Sequence, residues 1–296
     1  MSSNLIVLHK IWNGLLFQKI NYNDYKFILV IFNRTQRHAF HLVDPSAMPF
    51  LSSLACLTTF LGSVMYMHGY IGGFQIQMFG IASILTCMFL WWRDIVREGT
   101  LEGQHTNIVQ LGLRYGMILF IVSEIMFFFA FFWAFFAASI SPTIEIGNIW
   151  PPKGIDAFNP FEVPLVNTLI LLCSGATITY SHHAITAGSK VEAVFGLVLT
   201  IVLAIIFTGF QGFEYVSANF NICDGIFGST FYMATGFHGF HVLIGTIFLT
   251  VCLVRMMLNH FTTEHHFGFE AAAFYWHFVD VVWLFLYVAV YFWGGN

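Results

Sequence analysis

The chain has 296 residues, 58% of them hydrophobic and only 9% charged. A soluble globular domain carries about 45–50% apolar and about 25% charged residues. With 36 phenylalanines and a mean hydropathy of +0.76, this chain could not cover a water-facing surface of ordinary size, which excludes a soluble enzyme, a disordered protein and a nucleic-acid binder of the basic-patch type.

Net charge is −4 and names no partner; no nucleic acid is expected. Five cysteines without a C-x-x-C pair give neither a disulfide framework nor a cysteine-ligated metal.

In chain order, residues 1–37 stand apart, with five basic residues and one acidic, Asp24. The apolar run Phe27 to Phe32 is too short to span a bilayer. Targeting presequences favour Arg and Ser, whereas lysine leads here. The segment therefore reads as a retained N-terminal extension that lies on the membrane surface or docks on a partner.

Residues 38–296 read as a transmembrane domain. A helix needs about 20 apolar residues to cross the hydrocarbon. From Pro45 to Trp92 no Asp, Glu, Lys or Arg occurs over 48 residues. That suffices for two spans, with Gly69, Gly72 and Gly73 offering the turn. A third span runs from about Ile108 to Ser139, interrupted by Arg114 and Glu124. Pro142, Pro151, Pro152, Pro160 and Pro164 then mark a loop. Further spans are expected over Val163–Ser189, Ala193–Phe213, Gly225–Val254 and Glu270–Trp293, the last with Asp280 inside it. The fold class is all-α, with seven transmembrane helices.

Seven spans put the N-terminus and the even-numbered loops on one side. That side collects ten of the eleven Lys and Arg residues, leaving Lys153 on the other. By the positive-inside rule it faces the cytoplasm or, in a mitochondrion, the matrix.

The polar residues inside the spans are the candidate sites. A carboxylate such as Glu124 at mid-bilayer costs a few kcal/mol or more. It reads either as an interhelical hydrogen-bonding group or as a proton-linked or proteolipid site. Counting from the basic side, Glu124 lies about 24 Å deep, and His241 on the antiparallel sixth span lies about 26 Å deep. The matched depths predict a Glu124–His241 hydrogen bond. His238 shares a face with His241 at i, i+3. His277 and Asp280 have the same spacing and could satisfy each other. The pairs His182-His183 and His265-His266 sit near interfaces, and neighbouring residues diverge by about 100° on a helix. No haem or other metal site is expected on this chain, and no catalytic residue.

The second span closes with Trp91-Trp92-Arg93-Asp94-Ile95-Val96-Arg97. Two interfacial tryptophans with Arg93 and Arg97 on one face form a cradle for a lipid headgroup. Arg255 and His105, on the same side, could complete a phospholipid site. The alternative is plain interfacial anchoring. The phenylalanines from Phe127 to Phe136 circle their helix and read as packing and lipid contact.

Several segments are more specific than composition: HAFHLVDPS (38–46), WWRDIVREGTLEGQHT (91–106), LRYGMILFIVSEIMFFFAFFWAFF (113–136), PTIEIGNIWPPKGI (142–155), GSTFYMATGFHGFHVLIGT (228–246) and HHFGFEAAAFYWHFVDVVWLFLYVAVYFWG (265–294). Together they strongly resemble the subunit III family of cytochrome c oxidase, the haem–copper terminal oxidase, in unbroken order from about residue 38. Gln104 departs from the histidine many members carry there. The resemblance implies helices 1–2 splayed from helices 3–7 around a lipid-filled cleft. It carries Glu124 over as the family's buried, carbodiimide-sensitive carboxyl, and Arg97, His105, Arg255 and Trp92 as phospholipid contacts.

It further implies a non-redox core subunit of respiratory complex IV. Such a chain supports proton uptake beside catalytic subunit I, copper subunit II and accessory subunits, which hold the haem and copper. The implied location is the mitochondrial inner membrane, N-terminus on the matrix side. Alternatives are a quinol-oxidising relative of the same family, a membrane cytochrome, or a solute carrier, although no internal repeat or paired broken helix is visible.

Overall fold

The computed structural model describes residues 38–295; the expected extension over residues 1–37 lies outside them. The chain divides into a unit ending at Pro45 and a second from Ser46 onward. Of the first, residues 38–45 carry no helix, and the rings of His38 and Phe40 lie 6.3 Å apart.

The second unit is all helical among the described residues. Its long helices are α1 (Met48–Met67), α2 (Gly73–Thr100), α3 (Asn107–Ile140), α4 (Val163–Thr186), α5 (Lys190–Ser217), α6 (Gly225–Met257) and α7 (Phe267–Leu286), the last continued by a π-helical stretch, Tyr287–Trp293. All seven are long and apolar enough to cross a membrane. The protein is a multi-pass membrane protein, as its charge-free stretches predict. Local chemistry fixes several starts. Pro49 and Pro164 open α1 and α4, where the missing N–H costs nothing. Thr106 caps α3, its hydroxyl accepting from Val109 N at 3.4 Å.

α1 and α2 pack on each other, and the other substantial packing pairs run among α3–α7. Glycines set the α1–α2 approach. A Cβ built on Gly62 would press on the backbone of Gln77, one on Gly73 on that of Tyr66, and one on Gly80 would lie 2.6 Å from Thr59 N. Backbones this close need small residues, the usual basis of helix association where lipid supplies no hydrophobic drive. Gly80→Ala is therefore expected to destabilise the hairpin by about 1–3 kcal/mol through overpacking. Thermal unfolding in detergent measures it, and a stability equal to wild type would refute the close-contact account.

α7 is the hub, packing against α3, α4 and α6. In its apolar window 56% of residues are buried, against 11% for α1. Trp276 and Trp283 are fully buried, and their indole N–H groups donate to Ser174 Oγ at 2.9 Å and Thr168 Oγ1 at 3.0 Å on α4. Polar side chains also join α4 to α5: Thr177 and Thr200 hydroxyls lie 2.8 Å apart, and Ser181 Oγ donates to Ala193 O at 2.7 Å. In hydrocarbon such groups have no water to turn to, so they bond across the interface.

Several helix limits lie a few residues from the sequence expectation, and two of them take in charged residues at the end of a span. The second span reaches Thr100, so Trp91 through Glu98 remain helical. The fifth runs past Phe213 to Ser217 and buries Glu214. In both, charged residues at the edge of the apolar stretch are carried as part of the helix.

Candidate functional site

Glu124 on α3 and His241 on α6 meet inside the bundle. Glu124 Oε2 lies 2.9 Å from His241 Nε2, and His241 Nδ1 lies 2.7 Å from Phe237 O one turn back. Their side chains are 22% and 10% exposed. The rings of Phe128, Tyr275 and Phe278 surround the imidazole, Phe128 edge-on at 5.0 Å.

The bonds fix the proton count. A carbonyl only accepts, so Nδ1 must carry a hydrogen. Nε2 and Oε2 then share one proton, held either as Glu124 carboxylic acid donating to neutral imidazole or as carboxylate accepting from imidazolium. The pair is a one-proton unit at the depth where the two residues were counted to coincide.

The other candidate partners are placed differently. His238 is fully buried, its Nε2 3.1 Å from Val279 O and its ring against Phe207 and Trp283, so it serves no carboxyl. The expected His277–Asp280 pairing is absent. His277 Nε2 lies 3.3 Å from Thr179 Oγ1, and Asp280 Oδ1 has no partner. The cause is α4. Thr179 takes the imidazole, and the Asp280 carboxyl sits in the space left at Gly175, where a Cβ would come within 2.8 Å of Oδ2. An i, i+3 spacing makes contact available, but the facing helix decides what is contacted. His277 also borders an apolar groove of about 510 Å³ between α3 and α7.

Two acidic residues outside the expected set carry strong contacts. Glu214 is 1% exposed, and its Oε1 accepts from Tyr291 Oη at 2.5 Å. It was hidden by lying one residue past the apparent end of its span. Glu270, at the basic-side start of α7, takes a two-pronged bond from Arg114 of α3: Nε to Oε2 at 2.7 Å and Nη2 to Oε1 at 2.9 Å. The signal available was complementary charge near the same membrane edge on two spans. Beside Glu270 lie His266, with Nε2 3.4 Å from Oε1, and His182 of α4, with Nε2 3.3 Å from that of His266. His265 and His266 lie just before α7 rather than on a helix, and there His265 turns to Gln110 at 2.9 Å while His266 turns inward. One member of each adjacent pair, His182 and His266, thus converges on the other.

At the basic edge, Trp92 is 57% exposed and Arg97 is exposed on the same helix end. Arg93 spends Nε and Nη2 on Asp94 Oδ1, at 3.0 and 2.8 Å. The His105 ring covers Gly99, where a Cβ would come within 2.7 Å of Nδ1. Arg255 is tucked away at the end of α6, its guanidinium 4.5 Å from the centre of the Phe261 ring and its Nε buried without a partner. Trp92, Arg93, Arg97 and His105 thus belong to α2 and its following loop, and Arg255 to the α3–α7 bundle.

Residues 38–295 match the family model of cytochrome c oxidase subunit III. The chain belongs to that family. Similar proteins named cytochrome c oxidase subunit 3 occur in Marchantia polymorpha, 64% identical over 88% of this chain and 99% of the relative, and in Arabidopsis thaliana, 63% identical over 88% and 98%. One from Prototheca wickerhamii is 62% identical over 88% and 99%. As a member of the subunit III family, the chain is a subunit of cytochrome c oxidase, an enzyme complex of aerobic electron transport, and works in company with other oxidase subunits.

Proposed function

We propose that this subunit is a core part of the oxidase with no redox centre of its own. In this reading it braces catalytic subunit I beside copper subunit II and the accessory subunits, which hold the haem and copper. It keeps phospholipids in a cleft between α1–α2 and α3–α7, and it supports proton uptake by the catalytic subunit. The observation that carries the reading is the unbroken family match through all seven helices. Support for a non-redox role comes from the mid-membrane histidines: both ring nitrogens of His241, and one nitrogen each of His238 and His277, already have protein partners. The plant and algal relatives support a mitochondrial inner membrane, and the basic residues favour a matrix-facing N-terminus.

The test is mild detergent extraction followed by identification of retained proteins and an absorption spectrum of the dissociated chain. Co-purification of a haem–copper subunit with no Soret band on this chain is expected. A Soret band on this chain, or extraction without oxidase subunits, overturns the reading.

The lipid role has its own test. A charge-assisted hydrogen bond is worth about 1.5–3 kcal/mol, so Arg97→Leu is expected to weaken headgroup retention about tenfold or more. Lipid mass spectrometry of purified complex reads it, and unchanged lipid content excludes Arg97 from the site.

A further inference from the structure

The cluster at the basic-side mouth of α4 and α7 is used by none of the roles above. Its three ligand-type atoms, on His182, His266 and Glu270, lie within 4.8 Å of one another. Two of the separations are informative: 3.3 Å between the two Nε2 atoms, and 3.4 Å from His266 Nε2 to Glu270 Oε1. Ligands held 2.0–2.1 Å from a tetrahedral ion stand about 3.3 Å apart along each edge. The side chains are thus already spaced as two edges of such a polyhedron.

The lone pairs point the same way. His266 Nδ1 lies 3.0 Å from Thr262 O and must donate to it, which leaves Nε2 bare when the ring is neutral. A backbone carbonyl on the far nitrogen is the usual device that orients a metal-binding histidine. Glu270 Oε1 takes one hydrogen from Arg114 Nη2, and its second lone pair remains. Facing Glu270 Oε1 at 3.4 Å, the lone pair on His266 Nε2 is served either by a hydrogen on His182 Nε2, 3.3 Å away, or by a cation seated among the three atoms. Arg114 works in both directions, since it fixes the carboxylate's orientation and its own charge opposes a second cation.

We propose that His182, His266 and Glu270 form a divalent-metal site of the zinc class, with a fourth position open to water on the basic side of the membrane. Two imidazoles and one carboxylate suit zinc among the borderline ions, and a closed structural site would need a fourth protein ligand. Arg114 makes it a site of modest affinity that responds to the free ion.

The experiment uses the purified oxidase complex, stripped with chelator and then equilibrated with Zn²⁺ alone. Mass spectrometry after diethyl pyrocarbonate treatment reports which histidines react. Zinc is expected to protect His182 and leave its exposed neighbour His183 reactive. Bound zinc per complex should fall by one ion in His182→Gln and be unchanged in His183→Gln. If zinc leaves the labelling of His182 unchanged, the proposal falls, and the cluster is a hydrogen-bonded imidazole pair with Arg114 as its only cation. Equal zinc counts in the two variants would overturn it as well. The labelling needs no variant, so a failure of His182→Gln to assemble leaves the first outcome decisive.

Discussion

Glu124→Ala should destabilise the bundle by about 2–4 kcal/mol, and Glu124→Gln by much less. Alanine leaves His241 Nε2 without a partner in a largely apolar setting. The orphaned group alone costs about 1–3 kcal/mol, and the lost side-chain volume adds a cavity cost on top. Glutamine has nearly the same shape and an N–H that can donate to the bare Nε2. Since Nδ1 is committed to Phe237 O, the imidazole keeps one tautomer in that variant. The bond survives, but the shared proton does not.

The two substitutions therefore separate two roles. Thermal inactivation of the purified complex should rank wild type close to Gln and well above Ala. If proton uptake falls in Gln while stability holds, the carboxyl takes part in proton traffic. If uptake holds in Gln and stability falls in Ala, it is interhelical glue. Equal stability of the two variants would mean that the 2.9 Å contact contributes nothing to packing.

The architecture was legible in the sequence because hydrocarbon enforces simple arithmetic. Long charge-free stretches can only be spans, and basic residues sort to one side. The Glu124–His241 contact was legible for the same reason: rise per residue converts chain position to depth, and two polar groups at one depth in an apolar slab have few partners. Rotation about each helix axis was not legible. The i, i+3 spacing places His277 and Asp280 within reach of each other, but the side on which α4 lies decided that His277 meets Thr179 and that Asp280 fills the hollow at Gly175. The Arg114–Glu270 bond and the histidines beside it escaped for a related reason. Near the interface charges are common, and only the packing of α3, α4 and α7 shows which of them converge. Glu214 was not legible because a charge reads as the end of a span, and only the packing of Tyr291 against it shows how it is satisfied inside the helix.

Arg114→Leu is expected to cost about 2–4 kcal/mol. Breaking a buried pair from one side costs about 3–5 kcal/mol, whereas exposed pairs are worth little. This one lies between, with Arg114 39% and Glu270 13% exposed. Most of the cost falls on Glu270, whose carboxylate would face two imidazoles with no fixed cation. Arg114→Lys should recover only part of the loss, because an ammonium cannot reproduce the two-pronged bond to Oε1 and Oε2. Glu270→Gln added to Arg114→Leu should cost less than the sum of the single changes, since removing the carboxylate charge removes what the arginine was neutralising. Thermal denaturation of the complex compares wild type, the three single variants and the double variant. Strict additivity would mean that the two side chains act independently, and that α3 is held to α7 by its apolar face alone.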